Sequence, residues 1–280
     1  MLYQLWSNKK LVILSLLGAS LSIWLWFQVP LWAVRLAPSL PYQAVTIFEP
    51  RFTPEQVMQS EEGQGLFDAS EEMGEAKLEL YPYVLMEVKY LKGEKSLEST
   101  MLWSLNQGEV LLDTSNWDMT HGYYDCLIHR ARGDEMAVVT ALAHHGGTLD
   151  RESLLKAIHR DGEQVDNWIQ SCIRKQLIVQ IGNIYKLHLQ NPKLAQEPRS
   201  KIASALRKRT LSFQNVITPK YSPRAIVNLA HDTFGSGFSI RRQQLVYLPV
   251  YSITATYPDG SSAASKWNAH TGKLLDIKEE

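Results

Sequence analysis

The sequence predicts an α+β fold in which an N-terminal transmembrane helix precedes two sheet-forming repeats, and a helical domain is inserted between the repeats. Three observations predict this fold. The stretch from Leu11 to Val34 carries no charged residue. The stretch from Leu245 to Leu275 matches an earlier one, from Leu78 to Leu111. Between these two, residues 133–190 have apolar residues at helical spacing.

The composition is that of a folded chain without a strong charge. At 280 residues the chain is long enough for two or three small cores. Its 29 basic residues balance 29 acidic ones, so no overall field draws it to nucleic acid or anionic lipid. Cys126 and Cys172 are too few for a disulfide framework. We expect two packed thiols, and a single bridge in an oxidising compartment is the alternative.

Residues 1–37 are predicted to be a cytoplasmic tail and a transmembrane helix. The uncharged stretch exceeds the roughly 20 residues that a helix needs to cross a bilayer. A cleaved signal peptide is the alternative, but no clear small-x-small cleavage site follows. Lys9 and Lys10 before the span, against Arg35 and Arg51 after it, slightly favour a cytoplasmic N-terminus. Residues 38–50 then form a proline-containing linker.

The first segment, residues 51–114, has the pattern of one helix followed by about three antiparallel strands. Thr53 and Pro54 place an N-cap residue before a proline at the first helical position, and the helix is predicted to reach about Ser70. Apolar and polar residues alternate from Lys77 to Tyr90, which predicts a half-buried strand. Pro82 cannot donate a hydrogen bond to a ladder, so it predicts a bulge or an edge.

The second segment, residues 219–280, repeats that order. Ser222 and Pro223 start a helix, and a long strand from Phe238 through Thr256 follows. Such a unit alone has an exposed edge and a thin core, so we expect the two segments to join side by side or face to face. The matched positions are Pro82 and Pro249, Tyr90 and Tyr257, Trp103 and Trp267, and Gly108 and Gly272.

Each segment resembles a PepSY-type module, which is a helix and a short antiparallel meander whose last turn has the form D-x-x-TG-x-(I/V/L). The counterparts are Trp267–Leu275 and Trp103–Leu111, the latter with Gln107 in place of the threonine. The resemblance implies membrane-tethered units outside the cytoplasm with inhibitory or protein-binding roles. It carries over no catalytic residue.

The insert, residues 133–190, follows a connector of residues 115–132 and resembles a winged helix. Helices are predicted at Asp134–His144, from a Thr148 cap through Ile158, and at Gly162–Gln176. A hairpin turns at Gly182-Asn183. The third helix has acidic residues at its start, where a DNA phosphate would be repelled, and its basic residues lie at the other end. We therefore do not expect this domain to bind DNA.

A basic connector, residues 191–218, follows the insert. A solvated helix or a lipid-facing patch is one interpretation of its basic run, and a nucleic-acid clamp is the other. The predicted basic patch consists of Arg199, Lys201, Arg207, Lys208 and Arg209.

The sequence contains no specific catalytic motif. His121, Cys126 and His129 match no strong zinc pattern. Ser153 and Lys156 have the spacing of a nucleophile and its base, without the companion motifs of serine acyltransferases. We therefore predict no catalytic, cofactor or metal site.

Aromatic side chains alternate along the predicted strands. Most are expected in the core, whereas any on an open sheet face would anchor a protein partner. The predicted partner-binding residues are Tyr83, Tyr90, Trp103, Tyr251, Tyr257 and Trp267.

These observations favour a non-enzymatic, single-pass protein of the bacterial inner membrane. Its soluble part is expected outside the cytoplasm, where it binds another envelope protein. A homo-oligomer is left open. The alternative is a membrane-anchored winged-helix regulator that contacts nucleic acid on the cytoplasmic side.

Overall fold

The fold is a mixed α+β arrangement, as predicted. The computed structural model describes residues 42–67, 70, 72–189, 192–203, 205–212 and 215–277. The transmembrane helix predicted at Leu11–Val34 lies outside these residues. Within them, no helix combines the length and the apolar character that crossing a bilayer requires. Ala44–Thr210 and Asn215–Glu280 form one compact unit.

The described residues contain twelve strands and seven helices. The strands are β1 (Tyr42–Phe48), β2 (Glu72–Met73), β3 (Lys77–Lys92), β4 (Lys95–Ser104), β5 (Val110–Asp113), β6 (Asp118–Met119), β7 (Thr148–Asp150), β8 (Ile178–Ile181), β9 (Ile184–Leu187), β10 (Leu206–Ser212), β11 (Phe238–Thr256) and β12 (Ser262–Asn268). The helices are α1 (Pro54–Met58), α2 (Glu61–Phe67), α3 (Tyr123–Ile128), α4 (Gly133–His144), α5 (Arg151–Ile158), α6 (Gly162–Arg174) and α7 (Pro223–Phe234).

One nine-stranded sheet contains strands of both segments. Its order is β10-β1-β11-β3-β4-β5-β6, and β2 and β12 also pair with β11. The two long strands β3 and β11 are antiparallel neighbours at its centre. The segments therefore lie side by side in a single sheet and share its core.

The two segments follow the same backbone course. Val84 pairs with Trp103 in the first segment, and its counterpart Tyr251 pairs with Trp267 in the second. The amide of Ser104 donates to Glu109 at 2.9 Å, and that of Asn268 to Lys273 at 2.9 Å. The following glycines have φ angles of 72° at Gly108 and 73° at Gly272. The aligned positions thus occupy equivalent places.

The first predicted helix is broken into α1 and α2. The capping box at Thr53 starts α1 as expected. The chain then folds back so tightly that a Cβ at Gly63 would lie 2.3 Å from the carbonyl oxygen of Val57. The prediction of one continuous helix to Ser70 was therefore wrong. Gly63 allows the chain to make a close turn, which goes beyond weakening the helix.

Pro82 lies inside the sheet, so the predicted bulge or edge was wrong. Its carbonyl accepts a hydrogen bond from the amide of Leu105 at 3.0 Å. In a strand the N–H and C=O of one residue point to the same side of the strand. The N–H that Pro82 lacks would therefore point to the place where β4 ends, and its absence removes no hydrogen bond of the β3–β4 ladder. The irregularity in register lies in β11, between Ile240 and Arg242.

The insert contains α4, α5 and α6 and a three-stranded antiparallel sheet of order β7-β9-β8. The prediction that Thr148 caps α5 was wrong, because Thr148 lies in β7 opposite Lys186. Asp150 is the N-cap, and its carboxylate accepts from the amide of Ser153 at 3.0 Å.

Three apolar clusters stabilise the unit. The first joins one side of β3 and β4 to α7 and the insert, and both cysteines lie in it as buried thiols without a disulfide, which confirms the expectation of packed thiols. The second contains Tyr83 and Trp117, and the third packs α1 and α2 against β11 and Trp267. The side chains of Lys266 and Glu79 form a nearly buried ion pair at 2.9 Å, which links the second segment to the first.

Candidate functional site

Four of the six predicted partner-binding residues are core residues. Tyr83, Tyr90, Trp103 and Trp267 are buried. The sequence correctly places aromatic residues along strands, but it does not show that both sides of the sheet are covered there. The prediction that these four side chains bind a partner was therefore wrong, because a partner cannot reach a side chain that the fold already encloses.

The contacts of these buried residues are structural. The indole N–H of Trp117 donates to the Tyr83 hydroxyl at 3.3 Å, and burial raises the pKa of Tyr83 to about 12. The indole N–H of Trp103 donates to the carbonyl of Gly108 at 2.7 Å, and its ring lies 4.9 Å from that of Tyr123. Each polar group is satisfied inside the core, as buried groups generally are.

The other two predicted anchors, Tyr251 and Tyr257, remain at the surface. The Tyr251 hydroxyl donates to the carbonyl of Phe52 at 3.0 Å, and the Tyr257 hydroxyl donates to that of Leu66 at 3.3 Å. The surrounding apolar side chains are exposed, at 38% for Phe52, 37% for Leu66 and 43% for Leu274. We call Phe52, Leu66, Tyr251, Tyr257 and Leu274 the tyrosine surface.

The tyrosine surface is held together by contacts between α1, α2 and the second segment. The ring of Phe52 lies over Gly272, where an added Cβ would come within 3.0 Å of it. The amide of Leu274 donates to the carboxylate of Glu62 in α2 at 3.2 Å. Burial, with Glu55 nearby, raises the pKa of Tyr251. The surface is therefore preformed, and the raised pKa keeps the Tyr251 hydroxyl uncharged at neutral pH.

The predicted basic patch is extended and divided, so its interpretation as a solvated helix was wrong. The Lys201 ammonium lies 2.8 Å from the carboxylate of Asp113, and this contact, with Ser115, lowers the pKa of Asp113 to about 2. Arg207 lies 2.9 Å from Glu49. The exposed residues Lys208 and Arg209 lie on β10, and Arg199 lies beside β4.

The exposed surface of α6 has little basic character. Arg151 makes two hydrogen bonds to Asp166, at 2.8 and 2.7 Å. Lys175 donates to Glu135 at 2.6 Å and to the carbonyl of Arg130 at 2.9 Å, so it does not extend to a ligand. The tip of the β8–β9 hairpin exposes Ile181 at 63% and Ile184 at 44%. Apolar and acidic groups are poorly suited to contact with a polyanion.

The side chains considered for catalysis have other partners. The Ser153 hydroxyl donates to Asp150 at 2.7 Å, and Lys156 lies 3.4 Å from Glu152. Burial raises the pKa of Cys172 to about 12 and raises that of Cys126 as well, so both are protonated thiols. Within the ranges that the structure describes, no three His, Cys, Asp or Glu residues are arranged to hold a metal ion.

Glu109 is a buried charged residue that the sequence analysis did not single out. Its carboxylate accepts from the Thr120 hydroxyl at 2.7 Å and from the amides of Gly122 and Tyr124 at 2.8 and 2.9 Å. Burial raises its pKa, and these three hydrogen bonds act against that rise. Glu109 holds the start of α3, and the signal that could have identified it is the contrast with Lys273 at the same place in the second segment.

Comparisons with known proteins identify no relative. No protein-family model, no curated protein and no solved structure matches this chain. The functional argument therefore rests on the geometry described above.

Proposed function

We propose that this chain is a non-enzymatic, single-pass membrane protein of the bacterial envelope that binds another envelope protein. In this proposal two PepSY-like segments and a winged-helix-like insert form the soluble part outside the cytoplasm. The protein acts by staying bound to its partner and performs no reaction on it. The observation that carries the proposal is the tyrosine surface, where both predicted anchors that escape burial lie beside three exposed apolar side chains.

The domain interpretation is supported by element order. The equivalent pairings of Trp103 and Trp267 support a duplication. The insert's order of helix, strand, two helices and hairpin supports a winged-helix-like domain. The uncharged stretch from Leu11 to Val34 supports the membrane anchor.

The tyrosine surface has the chemistry of a protein contact. Tyrosine and phenylalanine provide large contact areas at a low cost in conformational entropy. Because the hydroxyls of Tyr251 and Tyr257 are already bound to backbone carbonyls, these side chains are ordered before a partner arrives. Aromatic side chains that a partner buries on binding contribute much of the binding energy in many interfaces.

Two experiments test this proposal. A C-terminal reporter that is active only outside the cytoplasm should be active, and a reporter active only inside should be silent. The reverse result would place the soluble part in the cytoplasm and contradict the proposal.

The second experiment concerns the surface. The full chain is cross-linked in its native membrane and purified with its partner. Phe52→Asp and Leu274→Asp should remove a stoichiometric partner, because each places a charge at the contact. Ile181→Asp, at an exposed apolar position on the insert, is the matched control and should retain the partner. Equal recovery of the partner with all three variants would exclude the tyrosine surface as the binding site.

The alternative function is a cytoplasmic, membrane-anchored regulator that binds nucleic acid. The observation in its favour is the exposed run Arg207, Lys208 and Arg209 on β10. It predicts that the full chain in detergent retains DNA at low salt and loses it as salt rises. Changing all three residues to alanine should then abolish retention, and retention that persists would exclude this run as the site.

A further inference from the structure

Within the part of the chain that the structure describes, the outer edge of β12 is open. On its inner side β12 pairs with β11 over its whole length, from Ser262 to Asn268. On its outer side the returning chain covers only one end, where the amide of Leu275 donates to the carbonyl of Lys266 at 2.8 Å. The chain then leaves the edge, because Leu275 and Ile277 pack against the second cluster. Among the described residues, none bonds to the outward backbone groups of residues 262–265.

The same edge is covered in the first segment. There the amide of Ser200 donates to the carbonyl of Thr100 at 2.7 Å. The hydroxyl of Ser200 accepts from the amide of Leu102 at 2.9 Å. Since Trp103 and Trp267 are equivalent, Thr100 corresponds to Ala264. The extended segment Arg199–Lys201 therefore occupies in the first segment the place that is open in the second.

Strand geometry identifies which groups face outward. The N–H and C=O of one residue point to the same side, and successive residues alternate. Because the carbonyl of Lys266 faces outward, the backbone groups of Ala264 and Ser262 do so too. Those of Ala263 and Ser265 face β11.

Two edge strands of the large sheet, β10 and β12, differ in their protection. The edge strand β10 carries Arg207, Lys208 and Arg209, and charges of this kind keep foreign strands from pairing. Residues 262–265 include no charge and no proline. An uncharged, unpaired edge is a template for an added strand.

We propose that the outer edge of β12 binds an extended segment of the partner protein by strand addition. This inference rests on the proposed function and names where and how the partner binds. The added strand takes the place that Arg199–Lys201 takes in the first segment. Its backbone amide donates to the carbonyl of Ala264, and a serine or threonine at that position reproduces the chemistry of Ser200. The edge adjoins the tyrosine surface, because Tyr251 pairs with Trp267 of β12.

The test uses a synthetic peptide with the sequence of Glu197–Ala203, EPRSKIA, as the added strand. The full chain is held in detergent micelles, and binding of the labelled peptide is measured by fluorescence anisotropy. Saturable binding is expected. A peptide N-methylated at the residue that copies Ser200 should bind at least tenfold more weakly, since it lacks the backbone donor.

Matched variants of the chain locate the site. Ala264→Pro replaces the outward N–H with a ring that occupies the place of the added strand, and it leaves the ladder to β11 intact, so the chain should fold while peptide affinity falls at least tenfold. Ala264→Val keeps the N–H and should bind like the unchanged chain. Ala263→Pro, whose N–H faces β11, should lower the melting temperature where Ala264→Pro does not, which verifies the assigned directions.

Three results would overturn the proposal. One is the absence of saturable binding, and another is equal affinity in Ala264→Pro and Ala264→Val. The third is a dimer that Ala264→Pro abolishes while the peptide does not bind, since the occupant would then be a second copy. None of these affects the reporter fusion or the Phe52 and Leu274 variants, so failure of the edge is distinguishable from failure of the proposed function.

Discussion

The first and second segments share a backbone course but differ in what surrounds them. The first is enclosed, because Trp103 packs against Tyr123 in the large cluster that also contains the insert, and the segment Arg199–Lys201 covers the edge of β4. Among the described residues, the equivalent Trp267 of the second segment belongs to a smaller cluster with α1, α2 and β11. None of the described residues pairs with the outer edge of β12 at residues 262–265. The comparison teaches that two segments with the same backbone course can be enclosed to different extents by the rest of the chain.

The tryptophans should produce the largest difference between the segments. Trp103→Ala and Trp267→Ala each remove a fully buried indole, which costs about 3–5 kcal/mol. We expect Trp103→Ala to cost more, because its ring belongs to the larger cluster. Urea unfolding followed by circular dichroism measures both, with Trp→Phe at each site as the milder control. A larger loss at Trp267 would contradict the view that the first segment is the enclosed one.

The ion pair between the segments should have the next largest effect. Lys266→Met leaves the buried carboxylate of Glu79 with only the exposed Lys77 ammonium, 3.9 Å away, and breaking such a pair costs up to about 3 kcal/mol. The counterpart of Lys266 is the apolar Leu102, so the double variant Glu79→Leu with Lys266→Met should recover most of the loss. The same urea titration provides the free energies. If the single and double variants are equally unstable, the pair does not act as a unit.

The equivalent glycines compare the two turns directly. Gly108→Ala and Gly272→Ala both force an L residue to a positive φ, which costs about 1–2 kcal/mol. The added Cβ would meet Leu127 at 2.7 Å in the first turn and the half-exposed ring of Phe52 at 3.0 Å in the second. Gly108→Ala should therefore lower the melting temperature more than Gly272→Ala does. Gly260→Ala, where φ is 79° and the space is open, isolates the backbone contribution.

The smallest expected effect is a pH dependence in the second turn alone. Burial lowers the pKa of His270 from its usual value of 6.5, and its counterpart is the non-titrating Asn106. Between the folded pKa and 6.5 the unfolded chain binds more protons, so stability falls as pH drops through this window. His270→Asn should reduce the stability difference between pH 7.5 and pH 5 by about 1 kcal/mol or less. His144, whose pKa burial also lowers, retains part of the dependence in that variant.

Local patterns in the sequence predicted most elements of the described chain. Alternation predicted β3, and apolar spacing predicted α4 and α6 within a few residues. Errors occurred where a distant contact decided the outcome. Thr148 looked like a cap, but it pairs with Lys186 across the insert. The sequence pattern indicated no strand partner for the basic run, whereas in the fold the amide of Ser200 donates to the carbonyl of Thr100.

The sequence by itself determined the α+β class, the matched positions of the two segments and the candidate aromatic anchors. These depend on periodicity and residue type, which act over a few residues. Only the tertiary structure decided that Tyr83, Tyr90, Trp103 and Trp267 are enclosed, that Tyr251 and Tyr257 remain at the surface, and that one sheet edge is covered while its counterpart is open. Burial and strand pairing join residues far apart in the chain, so a local pattern does not contain them.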